Sequence, residues 1–71
     1  MKSATSVIAR DERILGGDPV FPGTRVLIRS LFEYLEGGES LEAFLHQFPD
    51  VRAEQAVAVL EEARRRLVDE A

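Results

Sequence analysis

Few side chains in this sequence could do covalent or metal chemistry: the chain has one histidine, no cysteine and thirteen carboxylates. His46 has Glu42 at i−4, a spacing that puts a ring nitrogen and a carboxylate on one face of a helix. A metal site begun by such a pair needs roughly two or three more protein ligands to converge, and no spacing announces them. His46 therefore reads as a rim histidine, and no metal is expected. Ser3, Thr5, Ser6, Thr24, Ser30 and Ser40 have no histidine partner in any recognisable relay motif. Glu33, Glu36, Glu61 and Glu62 fall on or beside polar helix faces, where solvation accounts for them. Gly16-Gly17 lacks both the downstream Gly-Lys-Ser/Thr of a phosphate loop and the G-x-G-x-x-G spacing. The expectation is a protein with no catalytic residue and no cofactor, hence not an enzyme.

The arginines remain, and they are unevenly placed. Residues 1–29 carry five basic groups (Lys2, Arg10, Arg13, Arg25, Arg29) against three acidic ones, whereas residues 30–71 carry four against ten. A net charge of −4 argues against a uniformly basic nucleic-acid binder, but the first part can still face phosphate. Pro19 and Pro22 bracket Val20-Phe21 and narrow its conformation, which would aim Arg25. Arg64, Arg65 and Arg66 sit at the end of the last helical pattern, where cations complement the helix dipole.

The elements that must hold these groups differ along the chain. Residues 6–10 and 24–28 are short and rich in β-branched types, with Gly16-Gly17-Asp18-Pro19 and Pro22-Gly23 between them, so they predict a β ribbon over 6–28. From Ile28 the period becomes helical. Ile28, Leu31, Phe32 and Leu35 mark a first helix stopped by Gly37-Gly38; Leu41, Phe44, Leu45 and Phe48 mark a second, capped by Ser40 and ended by Pro49. Ala53, Ala56, Val57, Leu60, Ala63 and Leu67 form the stripe of a third helix over 53–68, with Arg52 at its N-cap. The fold class expected is α+β and mainly α: one domain over 1–71, a short N-terminal β ribbon followed by a three-helix helix-turn-helix-like bundle over 28–68.

An apolar fraction of 45% predicts a compact fold, yet 71 residues bury little core and no disulfide can staple them. A lone ribbon is marginal in water, so the ribbon is expected to be completed by a second copy, giving a homodimer. No apolar run is long enough to span a membrane, and the first ten residues lack the apolar core of a secretory signal, so the expected location is the cytoplasm.

The segment Gly16-Gly17-Asp18-Pro19-Val20-Phe21-Pro22-Gly23-Thr24-Arg25-Val26 resembles the signature Gly-Gly-x-Pro-x-x-x-Gly-Thr-Arg-aliphatic of the family called domain of unknown function 433. Gly16, Gly17, Pro19, Gly23, Thr24 and Arg25 carry that structural motif. Gly38-x-Ser40-x-Glu42, Phe48-Pro49 and the alanine-rich third helix extend the resemblance from about Val7 to Arg66. Two positions depart from the family pattern: Asp18 stands where a basic residue is common, and Arg52 where a hydroxyl cap is usual.

The resemblance implies a prokaryotic antitoxin of a type II toxin–antitoxin pair, with a homeodomain-like helix-turn-helix fold, that neutralises a PIN-like ribonuclease toxin and binds its own operator DNA as a dimer. Operator contacts would then come from the ribbon (Arg10, Arg13, Arg25, Arg29) or from the third helix (Arg52, Gln55, beside Glu54). PIN-like nucleases, by family resemblance, gather carboxylates around divalent metal, so Arg64, Arg65 and Arg66 could dock as bidentate plugs on the toxin. The rival class is a homo-oligomeric protein-interaction module that never touches DNA, consistent with the acidic balance.

Overall fold

The computed structural model describes residues 7–69. Three helices form the body: α1 (Ile28–Glu36), α2 (Leu41–Gln47) and α3 (Ala53–Arg64), the last continued by one wider π turn, Arg65–Asp69. Each expected helix is present, and the ends have the expected chemistry. Ser40 Oγ accepts from the Ala43 amide at 3.0 Å and caps α2. Beyond α1, the Gly38 amide donates to Leu35 O and the Glu39 amide to Tyr34 O, the paired bonds of a Schellman close. That close requires a left-handed residue, and Gly38 supplies it with φ 92°.

The ribbon does not form. Among the described residues there is no strand or sheet, only two isolated antiparallel bridges, Ala9 to Val20 and Val20 to Leu27; Ser6 lies outside the described residues. The reason is local. Val20 exchanges bonds with Ala9 in both directions at 2.9 Å, but Pro19 and Pro22 on either side have no N–H to extend a ladder. Across the other edge, Thr24 is spent on a tight turn and Ile28 has already entered α1. The chain is therefore a three-helix domain with an extended N-terminal arm and a folded loop. The strand edge through which a second copy was expected to join is absent.

The core is built from all these parts. Phe21 from the loop, Ile28 and Leu31 from α1, Phe44 from α2, Val51 from the α2–α3 turn, and Ala56 and Val59 from α3 form one buried cluster. Phe44 is its hub, with ring centroids 5.9 Å from Phe21, 5.6 Å from Tyr34 and 5.0 Å from Phe48. The Tyr34 contact is edge-to-face, the favoured geometry for aromatic quadrupoles. Truncating such a hub in a domain this small leaves a cavity that no neighbouring layer can fill. Phe44→Ala is expected to cost about 3–5 kcal/mol and to lower the melting temperature by at least about 12 °C in a thermal circular-dichroism scan.

Candidate interaction surface around the signature loop

A set of hydrogen bonds fixes the loop from Gly16 to Val26 around one buried ring. Phe21 is fully buried, and its amide donates to Val26 O at 3.0 Å. Its carbonyl accepts twice, from the Thr24 amide at 3.0 Å and from Thr24 Oγ1 at 2.8 Å, and the same hydroxyl oxygen accepts from the Val26 amide at 3.0 Å. Thr24 thus closes the turn with both its backbone and its side chain, while Gly23 between them takes a left-handed φ of 79°. Pro19 O accepts from the Ile28 amide, which ties the loop to the first turn of α1. Pro22 O accepts from Gln55 Nε2 at 3.0 Å, which ties it to α3. Upstream, Gly16 and Gly17 lie in a tight turn, Leu15–Gly17, with positive φ, and Arg10 Nη1 donates to Gly17 O at 3.3 Å.

Gln55 has a second bond, and it resolves the odd N-cap of α3. Arg52 has no side-chain acceptor to offer the first turn. Gln55 Oε1 instead reaches back to accept from the Arg52 amide at 2.9 Å, the half of a capping box that the third helical residue provides. Both ends of the Gln55 amide thereby make a bond within the chain, a structural role beside the expected one in reading a base edge. Its position three residues after the cap was the available clue.

The arginines are for the most part neutralised where they stand. Arg13 grips Asp11 with Nε and Nη2 at 3.1 and 3.0 Å, and its amide adds a third bond to the same carboxylate. Arg29 pairs with Asp18, so the acidic residue that departs from the family pattern has its own cation eleven residues on. Arg52 lies 3.5 Å from Glu54. Arg64 pairs with Glu61 and Asp69, and Arg65 and Arg66 share Glu62, each at 3.0 Å. Among the described residues Arg25 alone of the arginines makes no hydrogen bond or ion pair; it is exposed beside the Thr24 turn.

Asp11 records this local field. The side-chain bonds from Arg13 hold its carboxyl below the ordinary value, the Arg13 amide adds to that, slight desolvation opposes it, and the charge of Arg25 contributes in the same direction. Asp11 in turn raises the Arg13 guanidinium.

The structure sets Arg10 against the Gly17 carbonyl of the loop and Arg25 after the Thr24 turn, and it sets Arg64, Arg65 and Arg66 at the end of α3. It also shows two depressions that the sequence did not announce. One is an open groove lined by Glu33, Tyr34, Glu39, His46 and Gln47, which places His46 near glutamates of α1 and its turn rather than with Glu42 alone. The other is an apolar cleft between the N-terminal arm, α1 and α3. Among the described residues no cluster of three or more His, Cys, Asp or Glu side chains could hold a metal ion, and no helix is long and apolar enough to cross a membrane.

Two outcomes test this account of the loop. Gln55→Ala removes a cap and a bridging bond and should cost about 1–3 kcal/mol in chemical denaturation, whereas Gln55→Glu, which keeps the acceptor, should recover part of the loss. For Asp11, a depressed folded value means that its pairing stabilises at neutral pH and is lost as pH falls through that value. A carboxyl carbon titration should put the Asp11 midpoint below that of an unpaired aspartate, and Arg13→Gln should move it upward.

Residues 8–63 match the family described as Protein of unknown function (DUF433). No curated protein and no solved structure matches the chain. The match takes in the N-terminal arm, the signature loop, α1, α2 and all but the last residue of α3, so this chain belongs to the DUF433 family.

Proposed function

We propose that this chain is the antitoxin of a type II toxin–antitoxin pair, which captures and neutralises a PIN-like ribonuclease by direct protein contact and, as a dimer, binds its own operator. The observation that carries the reading is the presentation of Arg25. The guanidinium has no partner among the described residues and stands on a turn locked by Thr24 and seated on the core through Phe21, so the backbone that carries it is already ordered. Its planar fork suits bidentate contact with phosphate or carboxylate.

The antitoxin reading rests on the resemblance of the signature loop, which lies within the matched residues 8–63 and builds this turn. The α2–α3 unit, joined through the short turn around Pro49–Val51, has the outline of a helix-turn-helix. At the leading end of α3, Gln55 is occupied and Arg52 lies against Glu54, so phosphate contact falls to Arg10 and Arg25 at the loop rather than to base reading by α3. Toxin contact falls to Arg64, Arg65 and Arg66, which would exchange Glu61, Glu62 and Asp69 for carboxylates of the nuclease.

The direct test is to look beside its gene for a PIN-like nuclease and to co-express the two. The chain should relieve growth arrest and co-purify with the toxin, and replacing Arg64, Arg65 and Arg66 together by Gln should abolish relief while the fold persists. For the operator, four loop arginines per dimer on phosphate predict a fall in affinity of about a hundredfold between 50 and 200 mM salt, and Arg25→Gln should flatten that slope by about two. Absence of duplex binding at low salt, with toxin capture intact, would establish the alternative, a protein-only module.

A further inference from the structure

The apolar cleft is lined by Ile8 from the N-terminal arm, Ile28 and Phe32 from α1, and Val59 and Ala63 from α3, and its volume is about 260 Å3. Glu62 and Arg66 are the charged residues at its wall. Immediately after Arg66 come Leu67 and Val68, 75% and 64% exposed, the two most exposed large apolar side chains among the described residues. They extend the apolar stripe of α3 past the point where its own body ends.

We propose that this cleft takes the C-terminal turn of α3 from a second copy of the chain, with Leu67 entering it, so that two protomers pair by mutual exchange. Three observations select a second copy over another occupant. Donor and acceptor lie side by side on one protomer, since Ala63 and Arg66 line the cleft and Leu67 follows them. A two-fold axis at that point satisfies both exchanges at once, as an isologous interface requires.

Size agrees as well. A closed apolar cavity of about 150 Å3 accepts a benzene-sized group, so this larger, open cleft has room for a leucine with a valine at its mouth.

Charge is the third. Among the described residues the turn's Arg64, Arg65 and Arg66 are each paired, with Glu61, Glu62 or Asp69. Two copies can interchange these ion-pair partners across the axis, each cation of one protomer meeting a carboxylate of the other, and toxin capture through the same arginines would compete with this pairing. A 71-residue chain gains most from such cover because it buries only about 60% of its unfolded surface alone. This pairing does not depend on the antitoxin reading.

Sedimentation of the full-length chain across the micromolar range tests it. The wild type should be a dimer. Leu67→Glu, at an exposed position where the protomer fold is unaffected, should weaken dimerisation by at least about a hundredfold because two leucines per dimer are lost to a buried charge, and Leu67→Met should stay within about threefold. Since the chain has no cysteine, mixing Leu67→Cys with Ile8→Cys under mild oxidation should give a disulfide-linked heterodimer. A monomeric wild type, a dimer that survives Leu67→Glu, or failure of the mixed cross-link would each overturn the proposal. Loss of toxin capture in Leu67→Glu with the dimer unchanged would assign the cleft to the nuclease and overturn it equally.

Discussion

The structure depends on burying one aromatic ring from a segment that is neither helix nor strand. Phe21 meets Phe44 at the centre of the core, so the backbone on both sides of it must also leave water. Buried amides and carbonyls are costly unless paired, and an irregular loop has no ladder to pair them. The signature residues meet that demand one by one. Proline at 19 and 22 removes two donors from the list, Thr24 provides a hydroxyl that donates and accepts, and Gln55 reaches in from α3 for the Pro22 carbonyl. The motif is therefore first a solution to a hydrogen-bonding problem, and the position of Arg25 follows from it.

Electrostatics divides the surface by the same logic of local pairing. The arginines of α3 and its final turn are matched to glutamates one turn earlier, and Arg13 and Arg29 to Asp11 and Asp18. Such exposed pairs add little stability, but they cancel the field at a distance. The opposite holds between Arg29 and Arg52, where Glu33, Glu36, Glu39, Glu42 and Asp50 face no intervening Lys or Arg in sequence, and none of these five forms an ion pair among the described residues. The net charge of −4 is consequently felt at the α1–α2 end, and the loop end is where a guanidinium is presented.

The helices were legible because their signals are local. Period, a serine cap, a glycine pair and a proline each act within a few residues, and all three helices begin where those signals put them. The ribbon was misread because β-branched composition reports compatibility with extended backbone and says nothing of pairing, which the prolines on either side of Val20 restrict to single bridges. For Gln55 only half of the bonding had a local sign: its two partners, Arg52 and Pro22, are 3 and 33 residues away and only the nearer one has a sequence pattern. Asp18 is held by Arg29, eleven residues on, a pairing between the loop and α1 that no local pattern announces. The cleft and the groove, formed between elements, have no sequence signature.

These features make the loop and α3 a single mechanical unit. Gln55 joins the N-terminal end of α3 to the turn that presents Arg25, while Ala56 and Val59, within the next turn of the same helix, pack in the cluster that holds Phe21. A partner that displaces the loop must break the Pro22 bond and loosen the cap of α3 together, because one amide group provides both. Displacing the loop would thus loosen the start of α3, whereas the far end, beyond Ala63, is held by salt links to Glu61 and Glu62 of the same helix. A rigid proximal half and a locally paired distal half on one helix allow two different surfaces to be engaged with little cross-talk, which is the arrangement a small domain needs if it is to hold two partners at once.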